Sequence, residues 1–432
     1  MPLIIETMSE SDEIKRVQQD TALSDPASNP TSYPASYRAT VAALAIGQTL
    51  SWAVLYYGFS SFVLPMMRET GWSNPTAMGA FTLGLFCSAA ATYSAGAAID
   101  QGHGRALMTW GAVLAGAGVL LWSMVSAPWA LYLAWVMMGL SMAATLYEPA
   151  FAVLTHRYAT RYRQAITALT LVAGFASTLS FPACAALIQS LGWRPALWVL
   201  AAVMILVVAP LNAWALRGTV RPTQSPSPVS STPATAPTQQ ADITLHDALH
   251  QRSFWLLSLC FMLFSFGAAA LWAHVVPALE SKGWSETQAL AVLVWIGPAQ
   301  VLGRVMYVAA AKHVSLRLAG FAVVLFMPLS LALFAASNST WALLLFAVLF
   351  GMSNGLVTIV RGGLVPEYFG RANVGRISGA MSTIGLMARA FAPLLAAWML
   401  LWLPGYGAVM ALLAGLGVLS AMAYWWAGPP RL

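Results

Sequence analysis

Charged side chains are scarce in this 432-residue chain, where Asp, Glu, Lys and Arg together make up only 8% of the sequence. A soluble globular protein has about 25%, so this chain cannot cover a water-facing surface with ions. Lysine occurs three times, and none follows the glycine of a Walker A motif, which argues against ATP-driven work by this chain. Basic residues do not cluster beside aromatic ones, so the formal net charge of +7 does not indicate a nucleic-acid partner.

Cysteine is nearly absent as well. The three cysteines, Cys87, Cys184 and Cys260, lie inside apolar runs and form no CxxC pair. Each is typical of a small buried hydrophobic side chain rather than of a disulfide or a metal ligand. We therefore expect no metal and no cofactor, and the sequence does not indicate an enzyme.

Apolar residues dominate instead, with 59% of the sequence hydrophobic and a mean hydropathy of +0.71. Twelve apolar stretches are each long enough to cross about 30 Å of hydrocarbon as a helix. The sequence therefore predicts an all-α polytopic protein that spans a lipid bilayer twelve times. The predicted spans, numbered 1 to 12 in chain order, cover residues 39–65, 76–99, 106–126, 129–154, 164–190, 195–216, 253–279, 287–311, 317–337, 341–365, 377–401 and 406–427.

Two polar segments divide the chain into four parts. Residues 1–37 lack the apolar core of a signal peptide and predict a disordered tail. Between Thr219 and Gln240, 14 of 22 residues are Pro, Ser or Thr, which predicts a mobile linker. The expected parts are the tail 1–37, a six-helix bundle 38–217, a linker with a short interfacial helix 218–251, and a second six-helix bundle 252–428.

The lysines and arginines outside the spans predict how the chain is oriented. Fifteen of them fall on the side of the N-terminus and only Arg68, Arg194 and Lys282 on the other side. Because loops rich in Lys and Arg stay in the cytoplasm, both termini and the linker are expected there. We expect a monomer in the plasma membrane, which is the inner membrane in a Gram-negative bacterium.

The two predicted bundles are related by an internal repeat, since landmark residues recur at a constant offset of 212 positions. Several landmarks without a gap indicate two homologous halves, and six spans in each half give both halves the same topology. The matching landmarks are Pro65 with Pro277, Gly71-Trp72-Ser73 with Gly283-Trp284-Ser285, Arg105 with Arg317, and Gly139 with Gly351.

The loop between spans 2 and 3 reads GAAIDQGHGR from Gly96 to Arg105. It resembles the signature G-x-x-x-D-[RK]-x-G-[RK]-[RK] of the major facilitator superfamily, although Gln101 departs from the usual cation. The resemblance implies two pseudo-symmetric six-helix bundles with a substrate site between them. It also implies a gating role for Gly96, Asp100 and Arg105, in which Asp100 caps a helix of the opposite half and Arg105 joins a charge relay. The alternative is a plain solvated turn.

Four charged residues and one histidine remain inside the predicted spans: Glu148, Arg304, Arg361, Arg389 and His274. A charged side chain near the bilayer centre costs at least about 2.5–3.5 kcal/mol, so each needs a partner or a function. Three cations against one carboxylate leave an excess of positive charge, which an anionic substrate would balance.

Spans 8 and 11 carry two of these cations. Arg304 follows Gln300 by four residues in span 8, so both can face one cavity, and Arg389 lies in span 11. This pattern resembles the monocarboxylate transporters and oxalate/formate antiporters, and the resemblance implies that Arg304, Arg389 and Gln300 bind substrate. The eukaryotic monocarboxylate carriers have an acidic residue where Gln300 stands, so proton coupling at span 8 is not expected here.

The remaining candidates have open alternatives. Glu148 either carries a coupled proton or forms a fixed ion pair with Arg361, which we assign to gating, or with Arg105. His274 either shuttles protons and contacts substrate or is a buried histidine satisfied by a carbonyl. Tyr56, Tyr57 and Tyr147 either line the substrate site or are ordinary packing residues.

The preferred hypothesis is a secondary transporter of a small organic anion, expected to be a monocarboxylate or related carboxylate. It would work by alternating access, coupled to protons or by anion exchange. A multidrug or metabolite exporter of the same fold is the first alternative, although interior arginines argue against cationic cargo. A non-transporting membrane sensor is the second.

Overall fold

The computed structural model describes residues 36–218, 242–310 and 313–429. Within these ranges the chain is helical without a strand, and twelve helices are long and apolar enough to cross a membrane, which confirms the predicted fold class. Spans 1 to 12 run over Tyr37–Thr70, Pro75–Asp100, Gly104–Ser123, Pro128–Arg157, Tyr162–Leu191, Trp193–Ala215, Arg252–Glu280, Thr287–Ala310, Leu316–Ala336, Thr340–Phe369, Val374–Met399 and Tyr406–Trp426.

Spans 1–6 form the first half of the molecule and spans 7–12 the second half. We call the end of the bundle that contains Tyr37, Asp100 and Trp426 the terminal face, and the other end the opposite face. One buried hydrophobic cluster near the terminal face contains residues of both halves. Two further clusters belong to one half each. The halves therefore share a core at the terminal face and have separate cores elsewhere.

Helix packing repeats between the halves with the 212-residue offset of the sequence. In the first half, a Cβ on Gly139 would lie 2.1 Å from the carbonyl oxygen of Gly84. In the second half, a Cβ on Gly351 would lie 2.5 Å from the carbonyl oxygen of Ile296. Spans 2 and 4 thus approach each other as spans 8 and 10 do, at glycines where a side chain would collide with backbone.

A second repeated contact involves the arginines that begin the third helix of each half. Arg105 Nε donates to the carbonyl oxygen of Ala213 at 2.9 Å, and Arg317 Nη2 donates to that of Trp425 at 2.9 Å. Each arginine satisfies a carbonyl in the last turn of its own half, where no helical N–H remains to pair with it.

Span 4 is broken just before its polar segment. Its first helical part ends at Thr145 and its second begins at Tyr147, with Leu146 extended between them. Pro149 explains the break, because a proline ring collides with the carbonyl of the residue four positions earlier, here Thr145. That carbonyl instead accepts a hydrogen bond from Gln48 Nε2 of span 1 at 2.5 Å.

Span 1 contains a π-helical turn over Ala53–Tyr57. A π turn fits an extra residue into the helix and often occurs at functional sites. Ser180 of span 5 donates to the carbonyl of Ala53 at 2.8 Å, which ties this turn to the neighbouring helix.

Most of the predicted tail 1–37 and of the predicted linker lies outside the described residues. The end of the linker forms the expected short helix, Leu245–His250, which Thr244 and Asp247 begin with a capping box. Asp242, just before it, accepts hydrogen bonds from the backbone N–H groups of Arg371 at 2.6 Å and Ala372 at 3.0 Å. The linker helix is thereby anchored beside the start of span 11.

Candidate functional site

Arg304 of span 8 is a buried cation without a carboxylate partner among the residues that the structure describes. Only 4% of the residue is exposed, and its Nε donates to the carbonyl of Gly355 in span 10 at 3.1 Å. Its Nη1 is buried and has no hydrogen-bond partner within the described chain, and none of the ion pairs formed there includes it. An orphaned guanidinium nitrogen is costly, since burial of a charged donor without an acceptor is strongly unfavourable.

The space for this guanidinium comes from a glycine of the other half. A Cβ on Gly174 of span 5 would lie only 2.0 Å from Arg304 Nη1. Gly174 stands between two helical segments of span 5, Tyr162–Ala173 and Ala176–Leu191. Arg304 therefore reaches the first half at a point where any side chain would displace it.

Gln300, predicted to share the site with Arg304, lies half-buried one turn before it. Its backbone packs against Gly355, where a Cβ would lie 2.7 Å from the Gln300 carbonyl oxygen. Spans 8 and 10 pack closely at Gly355, and the carbonyl oxygen of Gly355 accepts the hydrogen bond from Arg304 Nε.

Aromatic rings of spans 1 and 4 form a wall on the side of the first half. The indole of Trp52 lies 5.4 Å from Tyr56, 6.3 Å from Tyr57 and 4.9 Å from Tyr147, measured between ring centroids. The π turn accounts for the neighbouring Tyr56 and Tyr57 both joining this wall, with their rings 5.3 Å apart. Tyr147 follows the break in span 4 and stacks on Phe151 at 5.3 Å.

Arg389 of span 11 meets the same wall from the second half. Its Nη2 donates to the hydroxyl of Tyr56, and its guanidinium lies 5.0 Å from the centroid of that ring, within cation–π distance. Tyr57 packs against both Trp52 and Tyr56, and Tyr147 packs against Trp52. The predicted residues Tyr56, Tyr57 and Tyr147 thus form one ring cluster on the first half, and Arg389 of the second half contacts it.

Glu148 and Arg361 form an ion pair across the two halves, with Arg361 Nη2 donating to Glu148 Oε1. Both side chains are 21% exposed. They border a small cavity between spans 4, 10 and 11 that Thr155 and Ser382 also line. Of the alternatives for Glu148, the structure contains the contact with Arg361, whereas Arg105 hydrogen-bonds to Ala213.

Asp100 joins the halves at the terminal face. Its two carboxylate oxygens each accept a backbone hydrogen bond at 2.8 Å, one from Gly375 and one from Arg376, at the start of span 11. These N–H groups lack helical partners, and the helix N-terminus favours a negative charge. Gly96 permits this contact, since its Cβ would lie 2.0 Å from the carbonyl oxygen of Gly375.

The side chain that contacts Asp100 is His156 rather than Arg105. His156 Nε2, at the end of span 4, lies 2.9 Å from Asp100 Oδ1. Arg105 takes no part in the ion pairs of the described residues and instead donates to Ala213. The expected charge relay through Arg105 is therefore not the arrangement found in this conformation, and its gating role stays a prediction.

His274 of span 7 lies against span 11 within the second half. Its Nε2 is 3.0 Å from the carbonyl oxygen of Pro393, and its ring centroid is 5.9 Å from that of Tyr406. This placement fits the alternative of a histidine satisfied by a carbonyl. In the part of the chain that the structure describes, no group of three or more His, Cys, Asp or Glu side chains could hold a metal ion.

Sequence reasoning missed four residues of the site: Trp52, His156, Gly174 and Gly355. Trp52 lies one turn before Tyr56, and this spacing could have placed it on the same face. The other three had no local signal, because each matters only through a residue more than 50 positions away.

Comparison with known proteins identifies the fold. The human organic anion transporter MFSD10 (TETRAN) is 15% identical, with a TM-score of 0.67 over 90% of this chain and 99% of that chain. The E. coli fucose:proton symporter FucP is 11% identical, with a TM-score of 0.69 over 90% of this chain and 98% of that one. A structure of FucP in the outward conformation gives 11% identity and a TM-score of 0.71, covering 90% and 99%.

No sequence among the curated proteins matches this chain. The family model for the Major Facilitator Superfamily, however, matches residues 44–325, which is most of the chain. That match and the twelve-span architecture agree, and the chain belongs to the major facilitator superfamily.

Proposed function

We propose that this protein is a secondary active transporter of a small organic anion, most simply a carboxylate. The observation that carries the proposal is Arg304, a buried guanidinium whose Nη1 has no partner in the described chain. A carboxylate offers two oxygens that accept hydrogen bonds in the geometry of a guanidinium fork. The cost of burying Arg304 is offset when such an anion binds.

The distribution of ion pairs supports this assignment. Arg361 is neutralised by Glu148, and the pair Arg163–Glu367 joins the halves at the terminal face. Arg304 and Arg389 belong to none of the ion pairs formed by the described residues. The excess positive charge is therefore concentrated beside the aromatic wall, where it favours an anion and opposes a lipophilic cation.

Alternating access is the mechanism that this conformation supports. The hydrogen bonds and ion pairs that join the halves within the described ranges lie between the terminal face and Arg389. If the termini lie in the cytoplasm, as the sequence predicts, this conformation would be that of a carrier closed toward the cytoplasm. Substrate would then break the contact between Asp100 and the start of span 11 by drawing the halves together around the arginines, since a ligand favours the state that it binds more tightly.

Energy would come from a proton gradient or from exchange with a second anion. Glu148 is the candidate for a coupled proton that lies between the halves, because its pairing with Arg361 depends on its charge. His274 contacts only the second half in its observed hydrogen bond, so it is the weaker candidate.

The test is uptake of radiolabelled carboxylates by the purified protein in liposomes. Accumulation that follows an imposed proton gradient and disappears with a protonophore supports symport. Uptake that requires internal anion and ignores pH supports exchange. If no carboxylate moves under either condition while an organic cation does, the proposed function is wrong.

A further inference from the structure

The ring cluster on the first half contains a buried donor of its own. The indole Nε1 of Trp52 is shielded from solvent and has no hydrogen-bond partner within the described ranges. Indole nitrogen can only donate, and so can the Nη1 of Arg304, which is orphaned in the same way. Tyr56 touches Trp52 and accepts a hydrogen bond from Arg389, which connects the Trp52 cluster to a cation of the site. An anion supplies the acceptors that the two orphaned donors lack.

The same cluster presents ring faces rather than further charges. Trp52 contacts three tyrosine rings at centroid distances between 4.9 and 6.3 Å, within the range of favourable aromatic pairs. Both cations of the site come from the second half, and the first half contributes rings and hydroxyls. A short aliphatic acid would leave those faces without a partner, and so would oxalate, which has no ring.

From this division we infer that the cargo is an arylcarboxylate. Its carboxylate would lie toward Arg304 and Arg389, and its ring would pack against Trp52 and Tyr147. The inference rests on the proposed function, because it specifies the class of anion carried at the same site. Offset or edge-to-face packing of a third ring onto the Trp52–Tyr147 pair adds selectivity that an alkyl chain of equal length does not receive.

The first experiment measures uptake of a radiolabelled carboxylate into liposomes at one pH and compares benzoate, propionate and oxalate as competitors. Benzoate should compete on the order of tenfold better than propionate, since ring packing adds to the gain from burying the larger apolar surface. Oxalate should compete more weakly than benzoate. Equal potency of benzoate and propionate, or a preference for oxalate, would overturn the inference while leaving anion transport in place.

Variants at Trp52 locate the source of the preference. Trp52→Leu keeps an apolar side chain without a ring, and the benzoate-to-propionate ratio should fall to about twofold or less. Trp52→Phe keeps a ring and loses the donor, so both acids should bind more weakly while the ratio is largely retained. The ratio is measured on each variant separately, so it does not depend on how much protein folds.

The matched control is Trp110→Leu in span 3, because Trp110 is 69% exposed and lies away from the cluster. It should leave the ratio unchanged. An unaltered ratio in Trp52→Leu would contradict the inference even if transport continues. Failure of every carboxylate with the unmodified protein would instead reject the proposed function, and the inference with it.

Discussion

Arg361 and Arg304 are arginines of neighbouring spans in the same half, yet their surroundings are opposite. Arg361 contacts Glu148 across the interface between the halves. Arg304 is only 4% exposed, and within the described part of the chain it has a single carbonyl partner and an orphaned Nη1. The first arginine completes an internal contact, and the second is incomplete without an additional acceptor. The comparison shows that a charge inside a membrane protein indicates a functional site when no opposite charge of the protein balances it.

Removing Arg304 should have the largest effect. We expect Arg304→Ala to reduce anion binding by at least about a hundredfold, because charge-assisted hydrogen bonds contribute roughly 1.5–3 kcal/mol each. Arg304→Lys should also fail, since a point charge cannot form two parallel hydrogen bonds. Binding is measured by ligand-induced thermal shift and by uptake in liposomes.

The control for this pair is Arg317→Ala, which removes an arginine that donates to the carbonyl of Trp425 at the terminal face. It should transport nearly as well as the unmodified protein. Near-normal binding by Arg304→Ala would contradict the proposal that Arg304 binds the anion whereas Arg361 pairs with Glu148.

Breaking the balanced pair should lower stability rather than affinity. Glu148→Gln leaves the Arg361 guanidinium without its carboxylate, at a cost of about 3 kcal/mol in the free energy of unfolding. The melting temperature should fall, and exchange and net uptake should decline together. Neutralising both partners with Glu148→Gln and Arg361→Gln should recover part of the loss, which a double-mutant cycle quantifies.

A different outcome would identify Glu148 as the proton carrier. Glu148→Gln would then keep its melting temperature and its exchange activity, and it would lose only accumulation driven by a proton gradient. Exchange needs the loaded carrier alone to reorient, whereas net uptake requires release of the proton from the empty carrier.

Gly174→Ala tests the position of Arg304 without changing any charge. The added methyl group would lie 2.0 Å from Arg304 Nη1, so the guanidinium must move. The backbone of Gly174 is right-handed helical and tolerates alanine, so we expect weaker binding, about tenfold, with little loss of stability. Gly297→Ala in span 8 is the control, because its Cβ would meet no atom within 4 Å. Equal anion affinities of the two variants would show that Arg304 Nη1 does not lie against Gly174.

The smallest effect is expected at Asp100, which joins the halves at the terminal face. Asp100→Asn keeps the shape of the side chain and loses the negative charge at the start of span 11, about 0.3–1 kcal/mol. The population should shift toward a state open at the terminal face. Distances between spin labels at that end of spans 4 and 10 should lengthen. Asp247→Asn, at the cap of the linker helix, should leave them unchanged.

The sequence was sufficient for the spans and the repeat because both depend on local composition. Each predicted span corresponds to a helix whose ends differ by a few residues, and equivalent glycines make equivalent contacts. The break in span 4 was not predictable in this way, because prolines such as Pro65, Pro277 and Pro393 lie inside helices that continue past them. Nor was the π turn at Ala53–Tyr57, because its residues also suit an ordinary α-helix.

The site was predicted unevenly for a physical reason. Arg304, Arg389 and Glu148 are identifiable because an ion is expensive in hydrocarbon and rare in apolar spans. Their partners are not, since Gly174 and Gly355 act by lacking a side chain and by offering a backbone oxygen. His156 contacts Asp100 only because spans 2 and 4 end at the same level. Such partners depend on helix packing, which one sequence does not determine.

The internal repeat distinguishes two kinds of equivalent position in the two halves. Gly139 and Gly351, which set the spacing of equivalent helix pairs, are the same residue type in both halves. Positions that face the site are not, since the first half has Thr92 at the equivalent of Arg304 and the second half has Ala269 at the equivalent of Tyr57. The halves therefore have one packing contact in common and differ in the residues that face the proposed site. Under the proposed function, a substitution at such a residue in one half would alter selectivity without changing the glycine contact that the halves share.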